Sequence, residues 1–249
     1  MSLTESRSPH PAADAITWHS QIASAFDERY HQSPLFRDRL RVWKRLIERY
    51  SKFDGTTVDA GCGTGALSEI AARHAGSLFA FDPSERMLSI ANRKLCEERN
   101  INLRRMSIAH LTSLTPLNAD LVICSSVLEY LDKPLDAIET LKGHLKPSGT
   151  LIFSVPNRAS LYRRAERLAF HAFTRPRYLT FTNYRLGAIH LPTHLRRLGF
   201  DVVERPLMGG IPILSSITRP FGLARFTDTL VAFVCRKQEA VDLDYPNAI

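Results

Sequence analysis

Asp59, Gly61, Gly63 and Gly65 fall close together in Val58-Asp59-Ala60-Gly61-Cys62-Gly63-Thr64-Gly65, and a second carboxylate, Asp82, stands directly before Pro83. A glycine-rich loop between a strand and a helix lets a ligand approach the backbone closely and sets it at a helix N-terminus. A carboxylate ending the next strand can accept both hydroxyls of a ribose. Gly61-x-Gly63-x-x-Ala66 satisfies the dinucleotide fingerprint, a pattern of low specificity when it stands alone. Asp59 separates the possible ligands. At the carboxyl end of the first strand it would repel a pyrophosphate. It would attract the α-ammonium and sulfonium of S-adenosyl-L-methionine, which carries no phosphate. The competing role for Asp59 is a structural cap of the loop.

These residues need elements to hold them. From Trp18 to Tyr50, Ile22, Phe26 and Tyr30, then Leu40, Trp43, Leu46 and Ile47 recur at helical spacing. Strands are expected at Thr56–Ala60, Leu78–Phe81, Leu103–Ile108, Leu121–Cys124 and Thr150–Val155. Helices are expected between them, with Gly76, Pro83, Pro134 and Pro147-Ser148-Gly149 as punctuation. Strand alternating with crossover helix is the pattern of an α/β, Rossmann-like, doubly wound parallel sheet. The expected division is a disordered lead over 1–14, a helical cap over 15–54, and the sheet domain over 55–236. The domain carries an insert at about 156–191, and a tail covers 237–249.

Composition narrows the class. In 249 residues, 44% are hydrophobic and 23% charged, which excludes disorder, collagen and coiled coil as readings of the whole chain. Residues 1–10 hold no apolar core of a secretory signal, and no apolar run approaches the roughly 18–20 residues of a spanning helix. Four scattered cysteines form no disulfide framework and no zinc pair. A reduced, cytoplasmic setting is expected. The net charge of +8 is local: residues 156–207 hold ten Arg against three acidic residues, a net of +7, while residues 1–155 hold +1. Such a stretch suits an anionic partner, unless it is simply a solvated face.

Four ordered segments carry a resemblance. They are the loop above, then Phe81-Asp82-Pro83-Ser84-x-x-Met87-Leu88, then the run from Ala119 to Leu131, then the run from Leu145 to Asn157. Together they resemble the motifs of class I S-adenosylmethionine-dependent methyltransferases, over roughly residues 18–235. The run after the fourth strand is similar to ubiquinone-biosynthesis-type small-molecule O-methyltransferases. The resemblance implies a seven-stranded sheet whose last strand, at Thr229 to Cys235, is antiparallel. It implies S-adenosyl-L-methionine as cofactor, with Gly61, Cys62, Gly63 and Gly65 in the loop under the methionyl group and Asp59 at its mouth. It further implies Asp82 and Pro83 at the ribose, Met87 near the adenine and Ser125 beside the sulfonium. The function implied is methyl transfer to a small-molecule acceptor, most simply a hydroxyl oxygen. Relatives often read Leu-Glu-His where this chain has Leu128-Glu129-Tyr130. Ser126 stands where metal-using relatives have an acidic residue, so no metal is expected.

A hydroxyl acceptor must lose a proton. Tyr130 and His190 are the catalytic candidates, with Tyr30 and His31 behind them. Free tyrosine titrates near 10, so Tyr130 suits hydrogen bonding better than proton abstraction. Absence of an Asn/Asp-Pro-Pro-Tyr/Phe motif and of any Pro-Cys argues against nucleic acid as substrate, although an RNA or protein methyltransferase using the Arg-rich insert stays open, as does a non-catalytic cofactor-binding protein. The acceptor pocket is expected from the N-terminal helices, the insert and the apolar loop Leu207–Ile217. In the insert, Leu161, Ala165, Leu168, Ala169, Ala172 and Phe173 form an apolar helical stripe with Arg163, Arg164 and Arg167 off it. That arrangement suits either a lid or a peripheral contact with an anionic membrane.

Overall fold

A computed structural model describes residues 11–182 and 191–239. His190, residues 1–10 of the lead, 183–190 of the insert and 240–249 of the tail lie outside the described residues. Three helices open the chain: α1 (Pro11–Gln21), α2 (Ala23–Gln32) and α3 (Pro34–Tyr50). The sheet strands are β1 (Thr56–Ala60), β2 (Ser77–Asp82), β3 (Ile101–Arg105), β4 (Ala119–Cys124), β5 (Leu145–Pro156), β6 (Phe200–Glu204), β7 (Leu207–Met208) and β8 (Leu230–Lys237). Between them run α4 (Ala66–Ala72), α5 (Glu85–Lys94), α6 (Pro134–Gly143), α7 (Leu161–Phe173), α8 (Leu191–Arg197), α9 (Pro212–Thr218) and α10 (Ala224–Thr227).

The strand order is β3-β2-β1-β4-β5-β8-β6, with the short β7 added beside β8. β1 pairs in parallel with both β2 and β4, and β8 runs antiparallel to β5 and β6. This is the expected Rossmann-like sheet of seven strands with its last strand reversed. The order turns about at β1, and ligands of such sheets bind at that switch point, beyond the carboxyl ends of the strands. The central strand β4 is buried along its whole length, as a parallel strand covered on both faces must be. One face packs around Phe81, Leu111, Phe153, Phe200 and Phe233, and the other around Trp43, Leu46, Ile47 and Ile123.

Two boundaries differ from the sequence reading. α1 begins at Pro11, inside the stretch expected to be disordered; proline is tolerated at a first helical position because its missing N–H is unpaired there anyway. The third strand ends at Arg105 rather than Ile108. Ser107 accepts a bond at its Oγ from the following turn, and a 3-10 turn covers Ile108–Ser113. β3 is the sheet's edge, so its half-exposed residues give a weak hydrophobic signal.

Candidate active site

The loop after β1 is held from below. The N–H groups of Gly61 and Cys62 both donate to the Phe81 carbonyl, at 2.8 and 2.9 Å. Gly61 lies at φ +77°, and a Cβ there would collide with the Val127 side chain. Gly63, at φ +54°, has nothing within 4 Å of the position a Cβ would take, so its Cα faces open space. Gly65 closes the loop at the start of α4 and does not itself line the cavity. At φ +80°, its missing Cβ makes room for Ala91 and Leu95, letting α4 and α5 pack closely.

Asp82 is fixed by two backbone donors. Gly63 N–H reaches Oδ2 at 3.0 Å and Ser84 N–H reaches Oδ1 at 2.8 Å. Burial nevertheless raises its pKa to about 6. Ser84 caps α5 by accepting from Met87 N–H, and shares a 2.7 Å hydrogen bond with Ser20 of α1. The cap helices are thereby tied over the nucleotide-binding end. Asp59 is 1% exposed and accepts one bond, from Ser68 Oγ at 2.7 Å. Burial, with Asp82 nearby, pushes its pKa up to about 7. Burial and the same two carboxylates hold the Cys62 thiol well above its usual value, which leaves it protonated and no nucleophile.

These groups line one cavity of about 1800 Å³. Ligand sites are commonly ~300–1,000 Å³, so there is room for a cofactor and an acceptor together. Asp59, Gly61, Cys62, Gly63, Asp82, Pro83, Met87, Ser125 and Tyr130 all contribute to its wall, as does Tyr30; His31 does not. The cap and the insert supply an aromatic lining that includes Trp18, Phe26, Phe36 and Tyr178. Tyr130 meets His19 edge to face at 4.9 Å between centroids. Burial, with Glu129 adjacent, raises the Tyr130 phenol far above its ordinary value, which leaves it protonated and able to donate rather than to act as a base.

Two wall residues escaped the sequence reading. Glu129 is 7% exposed, and its Oε2 has no hydrogen-bond partner among the described residues. Burial raises its pKa to about 7, against the pull of Arg163 and Arg39. His19 has an unpartnered Nε2 among the described residues, and burial, with Arg29 nearby, lowers its pKa to about 4, so the ring is neutral. Glu129 stood in plain sight beside Tyr130 in Leu128-Glu129-Tyr130. His19 had only its helical spacing to Ile22 and Phe26.

Two expected contributions to the cavity are corrected. No described side chain of Leu207–Ile217 lines the wall; the segment holds β7 and most of α9, with Met208 in the core. A positive φ at Gly209 and four hydrogen bonds from Arg219 to Asp38 and Asp228 make a regular element where the sequence looked broken. In α7, Arg163 does not lie on a solvated basic face. Its side chain is 13% exposed and bonds to Glu166 Oε2 at 3.0 Å, to Tyr178 Oη and to the Thr229 carbonyl at 3.2 Å. α7 does expose apolar residues, with Leu161, Leu168 and Phe173 at 58%, 72% and 74%, beside the exposed Arg164 and His171.

The sheet order is that of a Rossmann-like fold, and residues 58–153, less than half of the chain, match the methyltransferase-domain family. The chain is 32% identical over 114 residues to a ubiquinone biosynthesis O-methyltransferase of Nitrosospira multiformis, an alignment covering 45% of this chain and 48% of that protein. The chain spans about half the length of the curated relatives it matches. Among solved structures it is similar in fold to N-methyltransferase NodS from Bradyrhizobium japonicum WM9, solved with S-adenosyl-L-homocysteine. The TM-score is 0.62 at 22% identity, over 85% of this chain and 91% of that one. It is also similar to magnesium protoporphyrin IX methyltransferase from Synechocystis PCC 6803, with TM-score 0.65 at 16% identity over 90% and 100% of the two chains.

Proposed function

We propose that this protein is an S-adenosyl-L-methionine-dependent methyltransferase acting on a small-molecule acceptor at a hydroxyl oxygen. The observation that carries the reading is Asp59: a buried carboxylate with one hydrogen bond, opening on a cavity beside a glycine loop. That donor set fits a cationic ligand and disfavours a pyrophosphate. Open space at Gly63 and spare lone pairs on Asp82 fit the methionyl and ribose parts. When bound, S-adenosyl-L-methionine supplies a methyl group on a sulfonium, transferred by in-line displacement.

The chain's own residues supply alignment and proton handling. Glu129 is the base of this proposal. Its unpartnered oxygen lines the cavity, and a pKa near 7 lies where a general base works best. Tyr130 orients the acceptor by donating from its phenol. Aromatic walls exclude water and favour an apolar acceptor. Names among the relatives favour oxygen as the methylated atom.

Incubation with methyl-labelled S-adenosyl-L-methionine and a fractionated cell extract tests the reading. Label is expected in the low-molecular-weight fraction. Label confined to RNA or protein, or no turnover, would contradict it. Glu129→Gln should lower kcat/KM about 100-fold, the scale of a general base.

A peripheral contact with an anionic membrane belongs to the same proposal. α7 packs against α10, and the exposed apolar residues Leu161, Leu168 and Phe173 of α7 are joined by Ile217, Phe221 and Leu223 of the α9–α10 region. No helix among the described residues is long and apolar enough to cross a membrane. Co-sedimentation with anionic and neutral vesicles checks this. Preferential anionic binding, lost in a Leu168→Ser/Phe173→Ser variant, is expected. Equal recovery with both vesicles would remove the anionic selectivity, and no recovery with either would remove the membrane contact and leave α7 as a lid.

A further inference from the structure

Arg39 is a charge without an acid. It projects from α3 into the cavity wall, takes part in no ion pair among the described residues, and donates from Nη2 to Thr229 Oγ1 at 3.1 Å. Its Nε is buried and unpartnered among the described residues, and its guanidinium lies over the Phe36 ring at 4.8 Å. Arg163 is anchored on the same residue, through the Thr229 carbonyl. Thr229 therefore brings two guanidinium groups together, and only one of them, Arg163, has a carboxylate partner, Glu166. Their mutual repulsion is felt: burial first, then Arg163, lowers the Arg39 pKa to about 10. The group stays charged at neutral pH.

A buried, unpaired charge is costly unless something pairs with it. Glu129 faces both arginines, yet it forms no ion pair with either, and its Oε2 has no hydrogen-bond partner among the described residues. The cavity that Arg39 and Arg163 share with the cofactor loop carries the rings of Trp18, Phe26, Tyr30, Phe36, Tyr130 and Tyr178, and its other cations, Arg29, Lys133, Arg175 and Arg177, are exposed. Guanidinium groups match oxyanions with paired, charge-assisted hydrogen bonds. We infer that Arg39 and Arg163 form an anion subsite for the methyl acceptor, which is therefore an apolar, ring-bearing molecule that carries a carboxylate or a phosphate. This rests on the methyltransferase reading and specifies its substrate class. The anion would sit at the two arginines while the hydroxyl to be methylated faces Glu129.

Matched probes test it: 2-naphthoate, 2-naphthyl phosphate and neutral 2-naphthamide, titrated into the full chain saturated with S-adenosyl-L-homocysteine. At least one anionic probe should bind about tenfold or more tightly than the amide, the scale of a charge-assisted pair. Whichever anion is stronger identifies the group. Arg39→Met should abolish the preference while S-adenosyl-L-homocysteine binding is unchanged. Arg39→Lys, which keeps the charge without the planar fork, should retain part of it. Arg163→Lys should likewise weaken the preference in part, which keeps the test open should Arg39→Met fail to fold. No anionic preference in the wild type, including failure of all three probes to bind, would overturn the inference. So would a preference untouched by Arg39→Met. Failure of S-adenosyl-L-homocysteine itself to bind would instead overturn the methyltransferase reading.

Discussion

Asp59 and Asp82 are buried carboxylates whose protons are held to unusually high pH, about 7 and about 6. A cationic ligand beside Asp59 requires it ionised. Cofactor affinity should therefore be full above pH 7 and weaken as pH falls through the Asp59 and then the Asp82 values; titration of S-adenosyl-L-methionine across this range checks it, and a flat profile would separate Asp59 from the ligand. Linkage for folding has the opposite sign. A carboxylate whose folded pKa is raised costs stability when ionised, so these two groups penalise the ligand-free fold above about pH 7 and relax as pH drops. Asp82→Asn should weaken S-adenosyl-L-homocysteine binding by the ~1.5–3 kcal/mol of hydrogen bonds to a charged group, with the fold kept. Calorimetric titration with a melting curve reads both. These carboxylates were legible in the sequence because the chemistry needs them at fixed offsets from glycines. Arg39 was not. On α3 it is one basic residue among several, and only the Thr229 contact distinguishes it.

Elements were legible where hydrophobic period and punctuation agreed, as at β1, whose observed span Thr56–Ala60 is that read from its β-branched run. They were not legible where long-range polar contacts decide. α9 exists because Arg219 bridges two carboxylates 0–2% exposed, Asp38 of α3 at 2.7 Å and Asp228 after α10 at 2.8 Å. Asp38 also accepts from Gly209 N–H at 2.9 Å. This network ties the turn after β7 and the end of α9 to α3. Arg219→Met should cost ~3–5 kcal/mol, because it strands two buried charges; urea unfolding would show it, and a loss below ~1 kcal/mol would mean that the network adds little. At the opposite end of the sheet Asp120 opens β4. It accepts from Lys146 at 2.6 Å, Lys52 at 2.9 Å and Thr56 N–H at 3.0 Å. Although burial opposes them, these partners lower its pKa to about 2. Its stabilisation should be complete above the unfolded value near 4 and lost as pH falls toward 2. Asp120→Asn should remove much of that acid-side slope in a pH-stability curve.

Across the molecule, a parallel sheet presents its switch point, three cap helices close over it, and the insert adds Arg163, Glu166 and Tyr178 to the same wall. The cavity is large enough for two ligands and is lined by carboxylates, aromatic rings and basic residues that include Arg39 and Arg163. That division of chemistry suits a cationic cofactor beside an apolar, anionic acceptor. The fold alone accommodates many reactions, so the central claim rests on which nucleotide the loop accepts. Isothermal titration of the full chain with S-adenosyl-L-homocysteine and, separately, with NAD decides it most directly. One site per chain for S-adenosyl-L-homocysteine and no heat with NAD is the result expected from Asp59 at the mouth. Binding of NAD without binding of S-adenosyl-L-homocysteine would contradict the account.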